Sequence, residues 1–179
     1  MSAANGGKGF RCALTALPAG RMVEFAAFGS ATPRSLAALG TGSTTPGSVR
    51  RDADGRPAAL HFAPARWLLP APGAELDAWL ASAVAAGAGI AVEVEGKWTA
   101  MELNGAGAAR LLSSSLDVAA VLETRDCAAV VLFDCPAVLA TSAQGYLIYV
   151  QSSYAADFKA AVARLCSVFG SAGSTGSTG

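Results

Sequence analysis

Charge is scarce in this sequence. Asp, Glu, Lys and Arg make up 15% of its 179 residues, against roughly 25% in ordinary soluble domains. That predicts a surface short of charge and suited to burial against other chains. Thirteen basic residues balance thirteen acidic ones, which removes the electrostatic drive toward nucleic acid or an anionic membrane. Histidine occurs once, at His61, and Cys12, Cys127, Cys135 and Cys166 form no CxxC pair. A zinc site needs four such ligands at short recurring spacings, so no metal site is expected. The four thiols read instead as reduced, buried small hydrophobes. The uncharged run from Trp79 to Val92 is broken by glycine and falls short of the roughly 20 apolar residues that span a bilayer. MSAANGGKGF at the start carries no apolar signal-peptide core, so the expectation is a soluble, cytoplasmic chain.

Catalytic signatures are missing as well. A Ser, His and Asp triad would have to recruit His61, and no serine occupies a G-x-S-x-G elbow. NGAGAA, from Asn104 to Ala109, offers only part of a dinucleotide-binding turn, with no acid at the right distance after a following strand. Gly105 and Gly107 are better explained by a tight strand-to-helix connection, and there is no P-loop. No residue is assigned a catalytic or metal-binding role, and none is identified as holding a cofactor.

The hydrophobic pattern predicts an α+β fold of two related lobes, each a mainly antiparallel sheet with packed helices. Residues 1–10 and 171–179 contain little that could order a backbone, and the GSTGSTG ending reads as a flexible tail or a cloning scar. The first lobe is expected over 11–86, with a Gly, Ser, Thr and Pro-rich loop at 40–57, and the second over 87–170. CALTAL and MVEFAAF read as strands, SLAALG as a short helix, and AALHFAPARWLLP as a hairpin around Pro64. Leu76, Trp79, Leu80, Ala83 and Val84 share a helical face. In the second half IAVEVE and WTAMEL flank a turn at Gly96 and Lys97, and AGAARLLS forms a short helix with Leu111 and Leu112 inward. CAAVVLF reads as a central strand covered on both faces, and GYLIYVQ pairs back after the SAQG turn. Tyr154, Phe158, Val162, Leu165 and Phe169 stripe a final helix that Ser153 is placed to cap.

From Ala59 to Leu165 this pattern resembles the gamma subunit of heterotetrameric sarcosine oxidase. ALHFAPARWLL matches the family's apolar strand, Pro-containing turn and Trp-Leu-Leu run, with Ala63 where the family tends to have glycine. Trp98, Met101, Leu103, Gly105, Ala108, Leu111, Leu112 and Asp117 match its second segment, whereas Asn104, Ala106 and Gly107 depart from it. A Cys127-Ala128 step is also similar, with Val130 where threonine is often found. The likeness rests on packing and turn residues. Each has a structural explanation of its own: Trp67, Trp79 and Trp98 as core aromatics, Gly105 as a turn glycine, Asp117 as a turn acid.

The resemblance implies the fold of the folate-binding aminomethyltransferases and a non-catalytic accessory role in a flavoenzyme that oxidatively demethylates sarcosine or a related N-methyl amine. FAD, FMN, NAD and tetrahydrofolate would then be held by partner subunits (alpha, beta, delta), and none by this chain. Those aminomethyltransferases carry a double acid before a strand. Here DCPAVLA supplies the single Asp134, with nothing in the sequence to raise its pKa or orient it. A free-standing tetrahydrofolate-binding or aminomethyltransferase-like protein is the alternative.

Overall fold

The computed structural model describes residues 11–29, 39 and 46–172. The N-terminal stretch 1–10, the tail from 173, the first residues of the expected loop and, apart from Leu39, the expected helix at 35–40 lie outside the described residues. Within them are ten strands: β1 (Ala13–Ala16), β2 (Met22–Ala27), β3 (Val49–Arg51), β4 (Pro57–Ala63), β5 (Arg66–Pro70), β6 (Gly89–Glu93), β7 (Trp98–Asn104), β8 (Cys127–Leu132), β9 (Cys135–Thr141) and β10 (Gly145–Gln151). The α-helices are α1 (Ala74–Ala85), α2 (Ala108–Leu112), α3 (Val118–Leu122) and α4 (Ala155–Ala172).

The strands form two five-stranded sheets in which every pairing is antiparallel, ordered β3-β4-β5-β2-β6 and β1-β7-β10-β9-β8. Period-two alternation divides each strand between two cores. On β7, Met101 and Leu103 pack with Leu111, Leu112, Phe158 and Val162 of α2 and α4. Trp98 and Ala100, one residue out of phase, pack with Leu60 and Leu68 of the first sheet. On β2 and β5, Val23, Phe25, Trp67 and Leu69 face Leu76, Leu80 and Ala83 of α1. The result is four layers: α1, first sheet, second sheet, and the helices α2, α3 and α4. Each helix covers a sheet as the amphipathic pattern requires.

Strand pairing crosses the boundary expected between residues 86 and 87 in both directions. β1 joins the second sheet, with Ala13 opposite Asn104 and Ala16 opposite Met101. β6 joins the first, with Val23 opposite Glu93 and Ala27 opposite Gly89. The segments around Gly96 and Lys97 are therefore strands of different sheets, and that turn is a passage between layers. An alternating pattern fixes which face of a strand is buried but not which neighbour it pairs with.

Other local differences have simple causes. β8 lies at a sheet edge, not at the centre; the N–H groups of Asp126 and Cys127 close that edge by donating to the Gly47 carbonyl at 2.7 and 3.0 Å. Val84 is exposed because it lies about 80° around the helix from Leu76, at the margin of the stripe. Ser153 falls within a 3-10 turn, Ser152–Tyr154, that runs straight into α4, and Tyr154 is exposed. The helix α3 was not anticipated; Asp117 caps it, its Oδ1 accepting from the Ala120 N–H at 3.1 Å.

Gly105 is required where β7 turns into α2. Its φ is +106°, and a Cβ there would stand 2.4 Å from the Arg11 carbonyl oxygen. That same carbonyl accepts from the Gly107 N–H at 2.9 Å, tying the lead into β1 to the turn.

Candidate functional site

A glutamate in the middle of an apolar strand organises the most polar junction between the sheets. Glu24 follows Met22 and Val23 on β2, and alternation points it toward the second sheet. Its side chain is only 13% exposed. The Trp98 indole N–H donates to Oε1 at 2.7 Å, and the Lys97 ammonium approaches the same oxygen at 2.5 Å. Lys97 and Trp98 come from the passage between β6 and β7, so one carboxylate pins the crossover of the chain from one sheet to the other. Arg66, the first residue of β5, stands 3.8 Å from Oε2. Glu24, Phe62, Arg66, Ile90 and Val92 line a cleft of about 90 Å³. That is well below the roughly 300 Å³ at which small-molecule sites begin. The cluster is three donors satisfying one acceptor, with no second carboxylate beside Glu24 and the surplus charge positive. It can hold chains together; it has no paired acid and base for proton transfer.

The residues singled out in the sequence are dispersed. Asp134 is exposed in the two-residue turn between β8 and β9, where Phe133 and Asp134 have φ of 51° and 63°. This geometry suits a type I′ hairpin and explains an aspartate there without chemistry. His61 is fully buried and stacked on Trp67 with ring centroids 4.3 Å apart. Trp67 and Trp79 both pack against Phe25, so of the three tryptophans only Trp98 joins the polar junction. The Cys127 thiol lies 3.4 Å from the Ser48 carbonyl and 3.5 Å from that of His61. Burial, reinforced by Asp126, pushes it up to about 12. Burial and a hydrogen bond with Cys166 likewise push Cys12 up to about 12. Neither is a thiolate near neutral pH, so neither has the ionised sulfur a nucleophile needs. Among the described residues no three His, Cys, Asp or Glu side chains gather closely enough to hold a metal, and no helix is long and apolar enough to cross a membrane.

Sequence reasoning passed over Glu24. The available signal was a lone acid inside MVEFAAF, since a charge in a strand buried on both faces must find partners. Its hydrogen-bond partners Lys97 and Trp98 lie more than seventy residues away, and only the fold supplies them.

The architecture defines an α+β class: two stacked antiparallel sheets with helices on the outer faces. No family model matches the chain, and no curated protein does at a significant level. Among solved structures, a chain of heterotetrameric sarcosine oxidase from Corynebacterium sp. U-96, in complex with pyrrole 2-carboxylate, superposes with a TM-score of 0.71 and 20% identity. The match covers 89% of this chain and 85% of that one, so the two are of comparable length and share one fold. The ligand-free regulatory subunit of aspartate kinase from Thermus thermophilus is 13% identical over 87% of this chain and 97% of its own. Its TM-score of 0.40 is too low to bear on the argument.

Proposed function

We propose that this chain is the non-catalytic accessory, gamma-type subunit of a heterotetrameric sarcosine oxidase-like flavoenzyme. The observation that carries the reading is the shared fold over nearly the whole length of a chain from such an enzyme. It coincides with the residue-level resemblance between Ala59 and Leu165. On this reading the fold is the one used by folate-binding aminomethyltransferases. The chain acts in the cytoplasm beside alpha, beta and delta subunits that hold FAD, FMN, NAD and tetrahydrofolate. The chain's own residues supply packing and position. The Glu24 cleft of about 90 Å³ is too small for a flavin or a folate, whereas a wider groove of about 380 Å³ lies beside the start of β8, lined by Gly47, Ser48, Leu122 and Arg125, and is where the folate-binding alternative would have to place its ligand.

The isolated chain is expected to be colourless above the protein absorbance and to form no peroxide from sarcosine. Bound flavin or sarcosine-dependent peroxide from the chain alone would overturn the proposal. A titration with tetrahydrofolate tests the alternative, since saturable binding at micromolar concentration by the free chain would favour a folate-binding protein.

A further inference from the structure

The first sheet ends in an open strand whose surroundings specify what could be added to it. Among the described residues β6 pairs only with β2. The Val94 N–H donates to the Met22 carbonyl and the Phe28 N–H to the Ala88 carbonyl, each at 2.9 Å. With Glu24 opposite Val92 and Ala26 opposite Ile90, the antiparallel alternation aims the backbone groups of residues 88, 90, 92 and 94 at β2. Those of Gly89, Ala91 and Glu93 therefore face away from β2; Gly89 is itself buried, whereas Ala91 is half-buried and Glu93 exposed, and among the described residues no further strand pairs with them.

The face beside this edge is apolar and half exposed. Further along the same face, Leu60 and Leu68 are sealed under the second sheet. Ile90 and Val92 remain 49% and 48% exposed, beside the half-buried Phe62. The polar groups at the rim are unbalanced. Lys97 is spent on Glu24 at 2.5 Å, whereas the Arg66 side chain is 57% exposed and its one polar contact among the described residues is the 3.8 Å approach to the same carboxylate. One acid thus serves two cations, and the rim carries a net positive charge that a carboxylate would complete.

We propose that β6 is the docking edge for an extended segment of a partner subunit. That segment adds a sixth strand through the outward groups of Ala91 and Glu93, covers Ile90, Val92 and Phe62 with its apolar side chains, and places a carboxylate on Arg66. Strand addition of this kind draws affinity from the main-chain ladder and specificity from alternate side chains. The inference rests on the accessory-subunit reading and gives that reading a surface and a partner chemistry.

The test is co-expression of the full chain with candidate flavoprotein subunits, with affinity measured for the wild type and three variants. Ala91→Pro removes an outward donor and leaves the β2 ladder intact, a position at which edge strands tolerate proline. Val92→Lys puts charge on the apolar face, and Arg66→Glu reverses the rim. Val131→Lys, on an exposed residue of β8, is the control. Each of the three should weaken assembly by about tenfold or more while the control assembles normally, the scale expected when an interface anchor is lost. Thermal melts of the free chains establish folding; if the proline variant does not fold, Val92→Lys and Arg66→Glu decide. Wild-type assembly with all three variants binding normally would overturn the docking edge and leave the subunit reading standing. Failure of the wild type to assemble would overturn both. Dimerisation of the isolated chain, reversed by Val92→Lys, would assign the edge to a second copy and overturn the partner strand.

Discussion

The two sheets contain the same number of strands and are finished differently. The second is covered on its outer face by α2, α3 and α4, and its β8 edge is tied to the Gly47 carbonyl, while its other end is the short, exposed strand β1. The first is covered on its outer face by α1, but among the described residues its β6 edge has no further strand and Ile90 and Val92 on the adjoining inner face are half exposed. The closed side accounts for folding, with Phe158, Leu111 and Leu112 fully buried. The open side has the features that natural sheets ordinarily remove by pairing, charge or cover. At β6 an edge strand lies beside the exposed apolar side chains of Ile90 and Val92, the combination that the proposed partner strand would cover.

The contrast is broken most severely at the closed side. Phe158→Ala empties a fully buried position and is expected to cost about 3–5 kcal/mol, read from the urea midpoint of the isolated chain. At the junction, Glu24→Ala leaves the Trp98 indole N–H and Lys97 without their acceptor. The expected loss is about 1.5–3 kcal/mol, the range for hydrogen bonds to a charged group, with Glu24→Gln milder because it can still accept from the indole.

Between the sheets, Cys127 makes stability depend on pH. Its proton is held up to about 12 in the folded chain against 9.0 for a free thiol. From pH 9 upward the unfolded chain binds fewer protons than the native one, so this contribution is complete below about 9 and is lost as pH rises toward 12. Cys127→Ala should show a shallower fall in melting temperature between pH 8 and about 11 than the wild type, the difference between the two curves isolating the thiol. The smallest effect belongs to the open side. Val92→Lys, at a half-exposed position, should shift the stability of the isolated chain by no more than about 0.5 kcal/mol. A large loss there would mean that β6 is needed for folding and would erase the contrast.

Much of the architecture was readable because alternation and helical periodicity are local. GYLIYVQ buries Ile148 and Val150 on one face and Leu147 and Tyr149 on the other, as its pattern requires. Phe158 and Val162 of the final helix and Leu111 and Leu112 of the short one are buried as expected. The exchange of β1 and β6 between sheets was not readable, because both candidate partners present apolar strands and pairing is decided by the layers as a whole. Glu24 stood out in its strand, yet Lys97 and Trp98 become its partners only once β6 and β7 have entered different sheets. Asp134 drew attention as a lone acid before a strand, and backbone geometry at a tight hairpin proved a sufficient reason for it.

The most direct measurement is the mass of the assembly formed when this chain is co-expressed with the flavoprotein subunits of a sarcosine oxidase-type enzyme. The account predicts that the chain co-elutes with them as a stoichiometric component of one complex that oxidises sarcosine. Elution of the chain alone, while the remaining subunits assemble and turn over sarcosine without it, would contradict the account.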